Sequence, residues 1–204
     1  MTRATAQKID YPSQIPLFEE LVGERVVVRP HRINDDQPLW DAIQESRDEL
    51  RPWLPFADQS REQSRDFLSR AVARWHTREG LGMAIEDRQT RRMLGNIGLM
   101  VHSWNIGSFE IGYWLRTSAA GHGYMTEAVR LLTDFAFDHL NANRVMIRCD
   151  AENARSAGVP TRLGFTLDGR MRQDMAAPDG HIADTLVFSM IRSDHRWPEQ
   201  ATKS

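Results

Sequence analysis

The chain lacks the residues that build disulfide-linked or metal-stabilised proteins. Its 204 residues include one cysteine, Cys149, so no internal disulfide can form. The seven histidines form no short-spaced pair of the kind that binds zinc, and we expect no metal site. Cys149 follows the apolar run at 145–147 without a base nearby in the sequence. We therefore expect a buried strand residue rather than a catalytic thiol.

Long apolar runs and an excess of one charge are also missing. The formal net charge is -2, which argues against a general nucleic-acid binder. No segment has the length and apolarity of a membrane span, and the N-terminal residues lack a signal-peptide core, so we expect a cytoplasmic protein without membrane or nucleic-acid partners. We divide the chain into an N-terminal arm (1–20), one domain (21–193) and a polar tail (194–204).

Hydrophobic periodicity predicts an α+β fold. Strands are expected at 25–29, 81–85, 93–102, 109–116, 144–149, from 165 onward and at 182–191, with the clearest helices at 60–78, after residue 123 and at 153–163. Consecutive strands in the first half favour antiparallel pairing, whereas a strand–helix–strand crossover over 109–149 requires one parallel pair. The prediction is a mixed sheet of about seven strands with flanking helices.

Two glycines, Gly121 and Gly123, stand between the strand at 109–116 and a helix. A helix N-terminus presents unpaired backbone N–H groups that favour an anion, and glycine lets a phosphate come close to them. Thr126 occupies the place of the third glycine of a dinucleotide-binding motif, and no Gly-Lys-Ser/Thr of a P-loop follows. The turn by itself is compatible with a pyrophosphate site or with a simple connection.

Three further motifs accompany this turn in a fixed order. FEIGYWL (109–115) precedes GHGYMTEA (121–128), and NARS (153–156) and LGFTLDG (163–169) follow it. The series resembles the GNAT superfamily of acyl-CoA-dependent N-acyltransferases and, more narrowly, the bacterial ribosomal-protein N-terminal acetyltransferases of the RimJ/RimL type. The resemblance covers about residues 22–192.

The resemblance implies a twisted sheet that splits between the parallel strands at 109–116 and 144–149. The pantetheine arm of acetyl-CoA, or of another acyl-CoA, would enter this split. The implied cofactor-binding residues are Leu115, Arg116, Gly121, His122, Gly123, Tyr124, Met125, Thr126 and Asn153. The family often has Arg or Gln where this chain has Ala120, but a cradle of backbone amides does not need that side chain.

The implied reaction joins an amine to the acyl group of a thioester, and it needs a base and a proton donor. The resemblance makes Ser156 the candidate donor to the departing thiolate and Glu110 the candidate base. Ser156 and Asn153 are equally typical of helix capping. Glu110 could instead be a strand glutamate paired with an arginine.

Other carboxylates are weaker candidates for the base. Related N-terminal acetyltransferases carry a glutamate where this chain has Met175, which cannot accept a proton. Asp174 is adjacent, but strand alternation predicts that it faces the other way. Asp184 is a further candidate, whereas Glu127 in the first helical turn is expected to offset the helix dipole.

The acceptor amine is the least determined part. The loop at 51–56 carries Trp53, Leu54 and Phe56, which either seal a core edge or line the acceptor pocket. The resemblance implies a protein N-terminus or a small-molecule amine as acceptor. A longer acyl donor such as succinyl-CoA, a non-catalytic acyl-CoA sensor and a homodimer paired through exposed sheet edges stay open as alternatives.

Overall fold

An eight-stranded mixed sheet organises the molecule, and the computed structural model describes residues 15–197. The strands are β1 Leu21–Val22, β2 Val26–Pro30, β3 Leu81–Asp87, β4 Met93–Ser103, β5 Ser108–Leu115, β6 Arg144–Asp150, β7 Thr166–Ala176 and β8 Ile182–Ile191. They lie in the order β1-β2-β3-β4-β5-β6-β8-β7, and only the β5–β6 pair is parallel. The predicted α+β fold is confirmed. The eighth strand is β1, whose two residues are too few to show alternation in the sequence.

Five α-helices flank the sheet within the described range 15–197. They are α1 Asp36–Glu45, α2 Arg47–Leu50, α3 Arg61–Thr77, α4 Tyr124–His139 and α5 Ala154–Arg162. The predicted helices at 60–78, after residue 123 and at 153–163 are therefore confirmed. The helix α3 begins where Ser60 and Gln63 cap each other reciprocally, a sequence signal that fixes helix starts locally.

The two faces of the sheet bury different sets of side chains. On the α4 face, Phe109 and Ile111 of β5 join the larger apolar core, with Tyr113 packed against it. On the opposite α1 face, Trp114 joins a smaller core formed with α1 and α3. Strand alternation places Glu110 on the same face as Trp114. The side chains of β5 are thus divided between the two cores.

The parallel pair opens into a split. Its register pairs Ser108 with Arg144, Phe109 with Val145 and Glu110 with Met146, and no further β5–β6 pair occurs among residues 15–197. Both strands continue, β5 against β4 and β6 against β8. The sheet therefore divides beyond Glu110, as expected, and leaves the end of β5 without a neighbour on one side.

Segments next to the chain ends also contact the core. Ile15 is buried, and Phe18 makes edge contacts with Trp75 and Phe135. Residues 1–14 and 198–204 of the predicted arm and tail lie outside the described residues, and the division into arm, domain and tail stays a prediction. Within 15–197, no helix combines the length and apolarity needed to cross a bilayer.

Candidate active site

The glycine turn ends at the exposed start of α4. Gly121 and Gly123 have φ values of +82° and +77°, and Gly123 is the N-cap residue without any side-chain cap. The first backbone bond from α4 into the turn runs from Glu127 N–H to Gly123 O at 3.1 Å. The preceding amides, from Gly123 to Thr126, belong to the first helical turn and have no intrahelical acceptor. They can bind an anion.

The two glycines face different surroundings. A methyl group at Gly121 would meet no heavy atom within 4 Å, so this residue borders open space. A methyl group at Gly123 would lie 3.1 Å from the Arg25 guanidinium. The turn therefore has an open side at Gly121 and a protein-packed side at Gly123.

Arg25 and Glu127 hold the packed side in place. Arg25 Nη1 donates to His122 O at 3.0 Å, and Arg25 Nε donates to Glu127 Oε2 at 3.0 Å. The other oxygen of Glu127 accepts the Arg25 backbone N–H at 3.0 Å. Glu127 is thus an anchor of the turn as well as a charge at the helix N-terminus. Sequence reasoning missed Arg25, since it lies 97 and 102 residues from its partners His122 and Glu127.

The end of β5 offers backbone groups to the split. Arg116 N–H donates to Leu94 O on the β4 side at 2.8 Å. Successive residues of a strand alternate in direction, so the N–H of Leu115 points towards the split. The Arg116 side chain is buried, pairs with Glu45 and donates to Met93 O at 3.1 Å. Leu115 and Arg116 were both predicted to contact the cofactor. The Leu115 N–H is free to do so, whereas the backbone N–H and the side chain of Arg116 bond within the fold.

A hydroxyl pair spans the two sides of the split. Asn153 Oδ1 accepts the Ser156 N–H at 2.9 Å, which confirms the capping role of Asn153. Tyr113 donates to Ser156 O at 3.0 Å, and Ser156 Oγ lies 3.4 Å from Tyr113 Oη. Burial raises the pKa of the Tyr113 phenol, so it stays a neutral donor at physiological pH. Tyr113 was not singled out from the sequence, although its alternation with Phe109 and Ile111 places it on this face.

Cys149 lies beside this hydroxyl pair on β6. It is half-buried rather than fully buried, and its thiol is within hydrogen-bonding reach of the Ser156 side chain. Burial raises the pKa of the Cys149 thiol, which lowers the thiolate fraction at neutral pH. This agrees with the expectation that Cys149 is not a catalytic nucleophile.

Glu110 occupies the opposite face, where the split begins. It pairs with Met146 of β6 and with Met100 of β4, and it is partly exposed. Its carboxylate is in none of the ion pairs found within residues 15–197. The arginine-paired alternative considered from the sequence is therefore not what the structure has. Glu110 is a carboxylate available at the mouth of the split.

The carboxylates on the last two strands are engaged. Asp184 accepts Gln173 N–H at 2.8 Å and Arg170 Nε at 2.6 Å. The expectation that Asp174 faces away is wrong, since it accepts Arg148 Nη2 at 2.5 Å. Arg148 shares a face of β6 with Met146, the partner of Glu110.

A bulge explains the error over Asp174. The register of β7 against β8 shifts between Met171 and Met175, and Gln173 has a φ of +52°. Alternation fails across such a bulge. Met175 pairs with Ala183 and supplies no base. The two nearby carboxylates, Asp174 and Asp184, are each bound by an arginine.

The loop after α2 packs against the α1 face. The Phe56 ring lies 5.6 Å from the Trp114 ring, and Leu54 also packs on this smaller core. Trp53 is half-buried. The loop thus seals a core edge on the face that carries Glu110, and its role as an acceptor wall stays a prediction. No cluster of three or more potential metal ligands occurs within residues 15–197.

Comparison with known proteins identifies related domains. Residues 25–166 match the family model described as an acetyltransferase (GNAT) domain. The chain is 28% identical to the uncharacterized N-acetyltransferase p20 of Bacillus licheniformis over 181 residues, covering 87% of this chain and 99% of p20. It is 26% identical to the ribosomal protein uS5-alanine N-acetyltransferase of Escherichia coli (strain K12) over 192 residues, covering 90% and 96% of the two chains.

A solved structure has the same fold. The ribosomal L7/L12 α-N-protein acetyltransferase RimL, in complex with coenzyme A that is bonded to one of its cysteines through a disulfide, superposes with a TM-score of 0.78. The match covers 85% of this chain and 98% of RimL at 22% identity. At this identity the likeness concerns the fold.

Proposed function

Because this chain belongs to the GNAT acetyltransferase family, we propose that it transfers an acetyl group from acetyl-CoA to the α-amine of a protein N-terminus. One observation carries the proposal: an open glycine turn lies beside a split sheet whose two sides carry Ser156 and Glu110. The family relatives that act on ribosomal protein N-termini support the acceptor class.

The turn fits the phosphates of an acyl-CoA. The amides from Gly123 to Thr126 supply donors for a pyrophosphate, and the open side at Gly121 leaves room for it. The Leu115 N–H faces the split, where it would bind an acyl carbonyl oxygen. Acetyl-CoA supplies the activated acyl group as a thioester. The backbone cradle would hold the phosphates of the cofactor, and Asn153 would lie beside its pantetheine arm.

Glu110 and Ser156 would each carry out one of the two proton transfers. On the α1 face, Glu110 would accept the proton that the attacking amine loses as the new C–N bond forms. On the α4 face, the Ser156 hydroxyl would donate a proton to sulfur as the C–S bond breaks. Tyr113 positions that hydroxyl, since Tyr113 Oη donates to the Ser156 carbonyl oxygen and accepts from Ser156 Oγ.

The acceptor class follows from the strength of this base. An α-amine has a pKa of about 7.7–8.0, so at pH 7 its deprotonation costs roughly 1 pKa unit, whereas lysine at about 10.4 costs roughly 3.4 units. A lone carboxylate on a partly exposed strand suits the α-amine better. Trp53, Leu54 and Phe56 would form the wall on which the acceptor's first residues rest.

Peptide acetylation tests the proposal directly. Peptides with free N-termini, matched N-blocked peptides with an internal lysine, and small amines are incubated with acetyl-CoA or succinyl-CoA, and released thiol is measured. We expect thiol release with acetyl-CoA and free N-termini. Acyl-CoA binding without thiol release for any amine would contradict the enzyme proposal and favour a sensor. Preference for the lysine peptide or for succinyl-CoA would overturn the acceptor or donor assignment.

The lone cysteine offers an independent check of the cofactor position. If the thiol end of the cofactor lies beside Ser156, Cys149 should attack coenzyme A disulfide, form a mixed disulfide and release one free coenzyme A. Mass spectrometry of the intact protein would detect the adduct, which Cys149→Ser should abolish. We expect slow formation because the raised thiol pKa leaves little thiolate. Absence of the adduct after long incubation would place the cofactor sulfur elsewhere.

A further inference from the structure

Two methionines flank Glu110 on the α1 face of the sheet. Met100 is its cross-strand partner on β4, and Met146 is its partner on β6. Paired residues of neighbouring strands point to the same face, so the three side chains lie side by side. Met100 is 50% exposed, and Met146, although only 6% exposed, belongs to neither of the two apolar cores within residues 15–197. The candidate base therefore lies between two apolar side chains that are not part of those cores.

The space next to Glu110 along β5 holds few side-chain atoms. Gly112 is the next residue of β5 on the α1 face, and it pairs with Gly98 of β4. Beyond its own chain neighbours, a methyl group at Gly112 would meet one heavy atom within 4 Å, the terminal Cε of Met100 at 3.3 Å. A methyl group at Gly98 would approach only backbone atoms of β3. The Met100 side chain thus covers this space, and its flexible thioether chain can move aside.

The borders of this space are apolar on the β5 side and neutralised on the β6 side. Trp114 follows Gly112 on the same face, and the Phe56 ring lies 5.6 Å from the Trp114 ring. On β6, Arg148 follows Met146 on this face and is bound by Asp174 at 2.5 Å. A side chain that lies beside Glu110 therefore contacts thioether and aromatic surface, and the arginine at its border already has a carboxylate partner.

We propose that Met100 and Met146 form the subsite for the first side chain of the acceptor and select a long apolar side chain such as that of methionine. An amine that gives its proton to Glu110 must lie close to it, so the side chain on the same α-carbon lies next to the two methionines. A long apolar side chain displaces the Met100 methyl group from Gly112 and buries its own surface against both thioethers. An acidic side chain would instead be repelled by the Glu110 carboxylate. This inference rests on the proposed N-terminal acetylation and specifies its substrate class.

Three peptides that differ only in their first residue, methionine, alanine or glutamate, test this selection in the thiol-release assay with acetyl-CoA. We expect kcat/KM to be about tenfold or more higher for the methionine peptide than for the alanine peptide, because methionine buries more apolar surface, and to be lowest for the glutamate peptide. Met100→Gln keeps the length of the side chain but places an amide in the subsite. It should raise KM for the methionine peptide by about tenfold and leave KM for the alanine peptide unchanged. Met100→Leu, which stays apolar, should keep the preference.

Val101→Thr is the matched control. Val101 is 40% exposed and adjacent to Met100, but it pairs with Phe109 on the opposite face, so its substitution should change neither KM. Coenzyme A affinity, measured by calorimetry, should equal the wild-type value in all three variants, which also shows that they are folded.

The outcomes separate this inference from the function on which it rests. Equal kcat/KM for the methionine and alanine peptides, or a preference that Met100→Gln leaves intact, would overturn the subsite while the acetyltransferase function stands. Absence of thiol release with every free N-terminus would instead refute the proposed function, and the subsite with it.

Discussion

Gly121→Ala separates the binding role of the turn from its conformational cost. With a φ of +82°, alanine at this position adopts the left-handed region, which costs about 1–2 kcal/mol for an L-residue. Part of this is offset because alanine also lowers the entropy of the unfolded chain, by roughly 0.4–1 kcal/mol. We therefore expect a net loss of about 1 kcal/mol in the free energy of unfolding, or roughly 2–4 °C in Tm for a chain of this size.

The effect on binding should be larger. The added methyl group enters space where no protein atom lies within 4 Å, on the side where the pyrophosphate would rest. If it displaces the phosphate from one amide, the lost charge-assisted hydrogen bond is worth about 1.5–3 kcal/mol, which is roughly a 10- to 150-fold loss of affinity. Calorimetric titration with coenzyme A and thermal unfolding of the unliganded protein measure the two effects separately.

Gly180 provides the matched control. It lies in the β7–β8 hairpin with a φ of +91°, and a methyl group there would also meet nothing within 4 Å. Gly180→Ala should therefore cost similar stability without changing coenzyme A affinity. If Gly121→Ala loses stability like Gly180→Ala but binds coenzyme A as tightly as the wild type, the phosphates do not rest on this turn.

Three further changes test the two sides of the split and the fold beneath it. Glu110→Gln should lower the rate and move the pH–rate profile upward, because the amine must then lose its proton to solvent; an unmoved profile rejects Glu110 as base. Tyr113→Phe should lower kcat without weakening coenzyme A binding and should be non-additive with Ser156→Ala, whereas additive effects would show that the two hydroxyls act independently. Arg116 lowers the pKa of Glu45 to about 2. Because the pKa of Glu45 is lower in the folded state, Glu45→Gln should lower the free energy of unfolding by about 1 kcal/mol at pH 7, after screening at this partly exposed site. This loss should shrink as the pH falls from about 4.5 towards 2. A loss that persists at low pH in chemical denaturation would contradict this.

The structural elements of the proposed donor side could be predicted because their determinants are local. Strand, glycine pair and helix follow one another within about 30 residues, and Asn153 caps the next helix three residues before Ser156 N–H. Each of these features depends on residue spacing and on local conformational preference, and both can be recognised in the sequence. The contacts of Arg25 with the turn and of Tyr113 with Ser156 depend on residues that are far apart in the chain. Periodicity indicates the face of an element but not its partner.

The acceptor side resisted prediction for a different physical reason. Alternation assigned Asp174 to the wrong side because it assumes an unbroken strand, and the bulge with Gln173 at positive φ breaks it. No glycine marks that position, and the bulge is held by a tertiary contact, Gln173 N–H to Asp184 Oδ1 at 2.8 Å. The same bulge lets Asp174 pair with Arg148, so that Glu110 is the carboxylate left without an arginine at the split. If Glu110 is the base, that role depends on the conformation of a strand three positions away in the sheet. Asp184→Ala, which removes the acceptor of the Gln173 N–H, should therefore change the acceptor preference in the peptide assay while coenzyme A affinity stays at the wild-type value.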